Sequence, residues 1–257
     1  MSDIRLSFVI PARNEEALIG ESVDAVLASV AQALKIPRHE LWLPDTCFEV
    51  IVADDNSQDG TAAVVRRFAD EAGVLLHPCV GGTSAAARNA GAAASSGRVF
   101  CFVDADTIVP ENAAERILRL HETEGKCLVL YRLASREPGI RAWLWWTFWG
   151  LARPLPLARA KAMPAFMSCD RSHFVSYGPF YESWAIAEEW PLTVAAYRYH
   201  TERFLYDRSL AARTSSRRMD LQPFGYARTF LKWASVVLFP WARTSLTDRI
   251  RHETVNR

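Results

Sequence analysis

The chain has 257 residues, of which half are hydrophobic, and its formal net charge is only +1. This length suits one large α/β domain with a sizeable core, and the charge excludes the strong basic excess that is typical of nucleic-acid binding. The five cysteines form no CxxC pair, so we expect no zinc cluster, no disulfide framework and a reducing cytoplasm. We expect neither a signal peptide nor a membrane span, which needs about 20 apolar residues.

In the first half of the chain, short apolar runs alternate with segments of helical periodicity. The apolar runs predict buried strands over residues 6–10, 48–53, 75–76 and 99–103. Helical spacing predicts helices over 15–35, from 60–61 to a stop at Gly73, over 84–94, and from Pro110 onward. This alternation predicts a mostly parallel sheet that is covered by helices.

Acidic side chains directly follow two of the predicted strands. Asp54 and Asp55 come after the second strand, and Asp104 and Asp106 come after the fourth. Ligands of a parallel sheet bind at the carboxyl ends of its strands. We therefore expect these four carboxylates to lie near one binding site.

The spacing of Asp104 and Asp106 suits a metal ion. In an extended chain alternate side chains point the same way, so carboxylates at i and i+2 can converge on one cation. Mg²⁺ and Mn²⁺ prefer oxygen ligands and often share them with substrate phosphates. Solvated turn carboxylates would show the same pattern, and the buried run before the pair favours the metal site.

Asp54 and Asp55 also have two interpretations. Asp, Asn and Ser are turn formers, and a helix cap at Asp59 or Thr61 would explain part of this segment. Two adjacent carboxylates beyond a buried strand repel each other, however. A base N–H or a ribose hydroxyl is a donor that would use them.

The second half of the chain predicts fewer elements. We expect a strand over 128–132, a helix over 188–200 and an amphipathic or buried helix over 226–239. No internal repeat, low-complexity tract or linker marks a second domain, so one domain is the expected organisation.

Three segments, in this order, resemble the family 2 glycosyltransferases: SFVIPARNEE, VIVADDNSQDGT and SAAARNAGAAASSGRVFCFVDADTIVP, within residues 6–110. The resemblance implies an α/β GT-A fold, with a Rossmann-like, mostly parallel central sheet flanked by helices and a C-terminal acceptor-side region. It implies one domain over 1–257: a nucleotide-sugar-binding half (1–125), an acceptor half (126–225) and a helical extension (226–257). Members of this family usually invert the anomeric centre of the donor sugar.

The resemblance also implies roles for residues of the donor site. Pro11, Ala12 and Glu15 would line the nucleotide pocket, and Asp54 or preferably Asp55 would recognise the base. Arg88 would approach the nucleotide or diphosphate. Asp104 would contact the ribose or the metal shell, and Asp106 would bind the metal. The alternative for Arg88 is an ordinary exposed arginine on a helix.

The segment GPFYESWAIAEEWPL occupies the place of the family's acceptor loop and its Glu-Asp pair. That acidic position supplies the general base in the family, and here Glu188 and Glu189 stand there, with Glu189 in place of the usual Asp. A carboxylate at this point would take the proton of the acceptor hydroxyl. The alternative is the first turn of a helix, where the helix dipole favours Glu and Pro191 is tolerated.

Two further candidates lie downstream. His200 could complete the metal shell, as a histidine does in some GT-A enzymes, or it could be a packed or exposed residue. The pair Arg217 and Arg218 suits recognition of a diphosphate by a loop that closes on the donor. A solvated basic loop would have the same sequence.

The stretch RAWLWWTFWGLARPLPLARAK at residues 141–161 is rich in Trp and too short to span a bilayer. Trp favours the headgroup region of a membrane, and the flanking Arg141, Arg153, Arg159 and Lys161 would favour anionic lipid. The stretch therefore predicts contact with a membrane surface. A core helix, a dimer contact and an aromatic acceptor pocket are the alternatives.

The acidic motifs and the resemblance together predict a metal-dependent transfer of a sugar to an acceptor hydroxyl, with Mg²⁺ or Mn²⁺ as cofactor. Inversion and a UDP-hexose donor are implied by the resemblance. The expected acceptor belongs to a lipid or polysaccharide precursor. The expected location is the cytoplasm, and an enzyme that contacts lipid would lie at the inner face of the cytoplasmic membrane. The alternatives are a GDP-mannose donor, an inactive membrane-associated scaffold, and a nucleotidyltransferase. PARNEE disfavours the last, because such enzymes carry a Gly-rich phosphate loop after the first strand.

Overall fold

The computed structural model describes residues 3–154, 165–184, 187–222 and 224–238. Its strands are β1 (Leu6–Ala12), β2 (Phe48–Asp55), β3 (Leu75–Cys79), β4 (Val99–Val103), β5 (Thr107–Ile108), β6 (Leu128–Ser135), β7 (Phe166–Asp170) and β8 (Phe204–Thr214). Its helices are α1 (Ile19–Leu34), α2 (Thr61–Ala72), α3 (Ser84–Ala94), α4 (Ala113–Leu118), α5 (Ile140–Ala152), α6 (Arg171–Tyr177), α7 (Trp190–Tyr199), α8 (Arg217–Asp220) and α9 (Gly225–Leu238). A π-helical turn, Arg119–Thr123, extends α4.

The described strands form one sheet in the order β3-β2-β1-β4-β7-β6-β8-β5. Strands β3, β2, β1 and β4 are parallel, β7 runs antiparallel to β4 and β6, β8 is parallel to β6, and β5 is antiparallel to β8. Large buried side chains from both halves of the chain, among them Phe8, Phe102, Tyr131 and Phe166, belong to one core. The predicted α/β fold with a mostly parallel sheet between helices is confirmed.

Strands β1 and β2 are longer than the apolar runs predicted. β1 continues through Pro11 to Ala12, which pairs with Asp54, and β2 continues to Asp55. The pairing of β1 with β4 ends at Val9, so Pro11 lies where β1 has one partner strand, and proline is tolerated at such positions. The two aspartates thus belong to the end of β2 rather than to a loop after it.

The helices of the first half agree with their predicted positions. Gly73 ends α2 in the left-handed conformation with φ 74°, and Thr83 caps α3 by accepting a hydrogen bond from the Ala86 N–H at 3.1 Å. In the second half, α5, α6 and β7 were not predicted, since short aromatic or mixed runs show no clear period. None of the described helices has the length and apolar character that crossing a bilayer requires.

Helix α3 packs very closely on β1, because Gly91 has no side chain. A Cβ at this position would lie 2.5 Å from Cγ1 of Val9 and 3.4 Å from Cβ of Ala53. Such a contact is shorter than side chains tolerate, and a β-branched valine has little rotamer freedom to move away. Arg88, one turn earlier on α3, reaches Asp104, the residue directly after β4.

We expect Gly91→Ala to lower the free energy of unfolding by about 1–3 kcal/mol, because overpacking outweighs the gain in helix propensity. Gly150→Ala is the matched control, since it lies in α5 and its Cβ would meet no described heavy atom within 4 Å. The control should be neutral or more stable by up to about 1 kcal/mol. Denaturant unfolding of both variants checks this, and equal effects would refute the packing argument.

Candidate active site

The candidate site lies at the carboxyl ends of β1, β2 and β4, where a parallel sheet binds its ligands. Pro11 and Ala12 are the last two residues of β1, and both are buried beside the end of β2. Asp104 and Asp106 follow β4 immediately. The structure therefore brings together the strand ends that the sequence singled out.

Asp54 and Asp55 have different surroundings. The Asp54 carboxylate accepts hydrogen bonds from the hydroxyl and, at 3.3 Å, the N–H of Ser57, as a turn former does. Asp55 is buried, and its Oδ1 accepts the backbone N–H groups of Gly81 at 2.8 Å and Gly82 at 3.0 Å. Asp55 thus joins the end of β2 to the loop after β3, with its other oxygen 3.4 Å from Nη1 of Arg13.

Arg88 is the buried centre of the site. Its Nη1 donates to Oε1 of Glu188 at 2.9 Å, and its Nη2 donates to Oδ1 of Asp104 at 2.5 Å. Burial alone would lower the pKa of Arg88, but the two carboxylates outweigh burial and the pKa is raised. The alternative of an exposed helical arginine is therefore wrong. The guanidinium joins α3, the end of β4 and the acidic pair.

The two carboxylates after β4 have the chemistry of a divalent cation site. Asp104 keeps 30% of its side chain exposed, and Oδ1 of Asp106 accepts a hydrogen bond from the Thr214 hydroxyl at 3.2 Å. Mg²⁺ is usually held by one or two carboxylates together with phosphate oxygens of a substrate. Both side chains are ligands of the type that such an ion uses, and no group of three or more His, Cys, Asp and Glu that could hold a metal occurs among the described residues.

His200 does not lie with this pair. No group of three or more His, Cys, Asp and Glu that could hold a metal ion, and hence none with His200 and this pair, occurs in the described part of the chain. The Nε2 of His200 is 3.2 Å from the hydroxyl of Tyr177, and its ring lies against His173. The predicted third metal ligand is therefore corrected: His200 is packed among aromatic rings at the C-terminal end of α7.

Glu188 and Glu189 differ sharply in their partners. Glu188 is neutralised by Arg88 and accepts a further hydrogen bond from Ser84 at 3.4 Å. Glu189 is 1% exposed, and its Oε2 has no hydrogen-bond partner among the described residues. Burial, followed by repulsion from Glu188, raises the pKa of Glu189 to about 8. Glu189 also begins α7 through its backbone, but its side chain does not cap the helix.

The segment after β8 is ordered against the end of β1. Arg217 pairs with the buried carboxylate of Glu15, whose N–H donates to Oγ1 of Thr61 at 2.8 Å. Glu137 accepts the N–H of Ser216 at 2.7 Å. The alternative of a solvated basic loop is therefore wrong for Arg217. The side chain of Arg218 is not among those that the structure describes.

Sequence reasoning missed several residues that shape the site. Thr214 supports Asp106, and Glu137 holds the segment after β8. Asn89 bonds both backbone groups of Phe180 at 3.0 Å and so ties α3 to the loop before the acidic pair. Of these residues, only Asn89 could have been identified from the sequence. It is a polar amide next to Arg88 in an Ala-rich helix, and such an amide needs a hydrogen-bond partner where it is buried.

Comparison with known proteins agrees with this geometry. The profile of the family described as Glycosyl transferase family 2 matches residues 7–176. Probable glycosyltransferase YdaM of Bacillus subtilis is 32% identical over 115 residues, which are 43% of this chain and 24% of that protein. The UDP-Glc:alpha-D-GlcNAc-diphosphoundecaprenol beta-1,3-glucosyltransferase WfgD of Escherichia coli is 31% identical over 115 residues, 45% of this chain and 40% of that protein. The chain thus matches less than half the length of these relatives.

Two solved structures share the fold at low sequence identity. Residues 1–349 of TarS from S. aureus superpose with a TM-score of 0.62 at 16% identity, covering 98% of this chain and 71% of that one. Glucosyl-3-phosphoglycerate synthase from Mycobacterium tuberculosis, in complex with Mn²⁺, UDP-glucose and phosphoglyceric acid, superposes with a TM-score of 0.60 at 20% identity, covering 91% and 79%. The family profile spans well over half of the chain, and the chain therefore belongs to glycosyltransferase family 2.

Proposed function

We propose that this glycosyltransferase moves a hexose from a UDP-sugar to an acceptor hydroxyl with inversion at the anomeric carbon. One observation carries the proposal: Arg88 neutralises Asp104 and Glu188 at the strand ends, and leaves the buried Glu189 beside them with a raised pKa. Arg88 thus joins the candidate donor site to Glu188, the chain neighbour of the candidate base. UDP, UDP-GlcNAc and UDP-glucose occur in solved structures of the same fold, which supports a uridine donor.

The uridine half of the donor would lie over the ends of β1 and β2. Pro11 and Ala12 are the last residues of β1 there, and Asp55 offers a carboxylate held in place by the loop after β3. A carboxylate in this position accepts a hydrogen bond from the base N–H. Arg217, tied to Glu15, would contribute positive charge near the diphosphate.

Asp104 and Asp106 would hold Mg²⁺ or Mn²⁺ together with the diphosphate oxygens. When bound, such a cation neutralises the negative charge that develops on the UDP leaving group. Mn²⁺ and Mg²⁺ occur with UDP in solved structures of the same fold. Thr214 would keep Asp106 in a fixed rotamer, since its hydroxyl donates to the Asp106 carboxylate.

The proposed transfer has one displacement step. Glu189 takes the proton of the acceptor hydroxyl, the oxygen forms a bond to the anomeric carbon, and the bond from that carbon to the UDP oxygen breaks. Glu188 is less suited to be the base, because its carboxylate is already occupied by Arg88, whose Nη1 donates to Oε1 at 2.9 Å. Burial raises the pKa of Glu189 to about 8, which suits a general base near neutral pH.

The acceptor is proposed to be lipid-linked and to reach the enzyme at the inner face of the cytoplasmic membrane. The name of the Escherichia coli relative includes a diphosphoundecaprenol acceptor, and a Trp-rich helix, α5, lies beside the segment after β8. Trp146 of α5 donates to the hydroxyl of Ser216 at 3.0 Å. An acceptor held at the α5 side would therefore be close to the donor site.

Calorimetric titration with UDP, GDP and CDP, with and without Mn²⁺, tests the donor site. We expect UDP to bind in a Mn²⁺-dependent manner, and we expect Asp106→Ala to weaken this binding at least about tenfold, since one of two carboxylate ligands is lost. Asp70→Ala, an exposed aspartate on α2, is the matched control and should bind as the wild type does.

The outcomes separate the candidate functions. A preference for GDP would keep the transferase and change the donor to GDP-mannose. Absence of nucleotide binding under every condition would contradict the enzymatic proposal and favour an inactive scaffold. Mn²⁺-independent UDP binding, equal in wild type and Asp106→Ala, would remove the metal from the proposed mechanism.

A further inference from the structure

Helix α5 presents a stripe of exposed apolar side chains. Ile140, Trp143, Leu144 and Leu151 are each more than half exposed, and they recur at helical spacing on one side of α5. Single exposed hydrophobic residues are common on proteins, but a contiguous group of them marks an interaction surface. The stripe therefore needs a partner.

Helix α9 extends this stripe. The rings of Phe148 on α5 and Phe230 on α9 are 5.8 Å apart, and those of Trp145 and Tyr226 are also 5.8 Å apart. Leu231, the next residue of α9, is 66% exposed. The two helices thus form one surface, the α5/α9 face, made by Ile140, Trp143, Leu144, Leu151, Phe230 and Leu231.

Helices α5 and α9 themselves carry only positive charge, and the exposed Asp220 of α8 lies beside α9, where it accepts a hydrogen bond from Tyr226 at 2.8 Å. Neither helix contains Asp or Glu, whereas Arg141 lies on α5, and Arg228 and Lys232 lie on α9. Arg208 of β8 also reaches this region, with its Nη2 3.4 Å from the carbonyl of Gly150. Arg153 is an exception to the predicted basic flank, because it is buried against the ring of Trp149. Arg159 and Lys161 lie outside the described residues.

We infer that the α5/α9 face docks on an anionic phospholipid bilayer, with both helices in the headgroup region. Trp and Phe are favourable at this depth, and basic side chains beside them, the exposed Arg141 and Arg228 and the half-buried Lys232, are attracted to anionic headgroups. A second copy of this chain would bring two basic faces together without acidic partners on either helix, which disfavours self-association. The inference goes beyond the proposed transfer and does not depend on the donor.

This docking would also orient the site. Trp146 connects α5 to Ser216, whose neighbour Arg217 pairs with Glu15 at the end of β1. The hydrogen bond from Trp146 to Ser216 and the ion pair of Arg217 with Glu15 thus connect helix α5 to the segment that follows β1. A lipid-linked acceptor on the docked bilayer would approach the same edge of the sheet where the donor is proposed to bind.

Co-sedimentation of the full chain with vesicles tests the docking. The vesicles contain either phosphatidylcholine alone or phosphatidylcholine with phosphatidylglycerol, and no nucleotide is present. We expect binding to the vesicles with phosphatidylglycerol, weaker binding to the others, and a partition coefficient lower by about tenfold or more for the double variant Trp143→Gln, Leu231→Gln.

The matched control is Trp42→Gln, Leu75→Gln, which removes an exposed Trp and an exposed Leu elsewhere on the molecule. It should bind vesicles as the wild type does, and thermal unfolding should show that both double variants are folded. Equal binding by all three proteins, or no binding by the wild type, would overturn the inference. Sedimentation velocity tests the alternative that a second copy of the chain occupies the face. If the wild type is a dimer and the double variant Trp143→Gln, Leu231→Gln is a monomer, the face is a dimer interface and the inference is overturned.

Discussion

Replacing Glu189 by Gln is expected to lower kcat for sugar transfer by about 10²–10⁴-fold and to leave UDP binding unchanged. Gln has nearly the same shape but cannot take a proton from the acceptor hydroxyl. The side chain is 1% exposed, so the substitution adds no exposed surface and creates no cavity. Initial rates with a UDP-sugar and an acceptor, together with calorimetric titration of UDP, measure the two effects separately.

Two further variants make this prediction specific. Glu189→Asp should retain part of the activity, because it keeps the carboxylate on a shorter side chain. Glu111→Gln, an exposed residue before α4, should have the activity of the wild type. An active Glu189→Gln would show that another group takes the proton. A variant that also lost UDP binding would point to a structural role for Glu189.

The raised pKa of Glu189 has consequences for pH dependence. Activity of the wild type should rise with pH and level off above about 8, because the base acts in its deprotonated form. The folded state holds this proton more tightly than the unfolded state does. The protonated Glu189 therefore contributes fully to the free energy of unfolding below the ordinary pKa of Glu. This contribution is lost as pH rises through about 8. Glu189→Gln should remove that loss, so its stability relative to the wild type should increase over this range.

Arg88→Met is expected to lower the free energy of unfolding by about 3–5 kcal/mol, since it leaves the Glu188 and Asp104 carboxylates in and beside a buried region without their counter-charge. Met fills much of the volume of the arginine stem, so lost charge outweighs lost packing. Denaturant unfolding measures the change. Arg67→Met on α2 is the control, because Arg67 is exposed, and it should change stability by less than about 0.5 kcal/mol.

A variant that keeps the charge distinguishes charge from packing. Arg88→Lys retains a cation beside Glu188 and Asp104, so it should lose clearly less stability than Arg88→Met. An equal loss by the two variants would attribute the role of Arg88 to packing against Phe180, whose ring centroid lies 5.7 Å from the guanidinium carbon.

The periodicity of the first half of the chain was sufficient to predict its architecture. Buried parallel strands are continuous apolar runs, and their helices carry an apolar stripe, so β1, β2, β4 and the helices between them could be located by local pattern. The ends of strands were less predictable. Asp54 and Asp55 look like turn residues, yet pairing with β3 keeps both in β2, and such pairing is a property of the sheet.

The position of the site was also determined by the sequence, because the carboxyl ends of parallel strands meet at one edge whatever the rest of the fold does. The partners of each charged side chain were decided by the tertiary structure alone. Arg88 and Glu188 are separated by 100 residues, and Arg217 and Glu15 by 202, so no local pattern reports their pairing. His200 shows the converse, because its ring packs against Tyr177 and His173 and forms no metal-binding group with the carboxylates that the sequence suggested as partners.

Burial made the final distinction between the two glutamates. In the sequence Glu188 and Glu189 are equivalent neighbours, and either could be a base, an ion-pair partner or a helix-cap residue. Only packing places one of them on Arg88 and buries the other with an oxygen that has no described partner. Proton affinity depends on desolvation and on neighbouring charge, and both are set by residues distant in the chain.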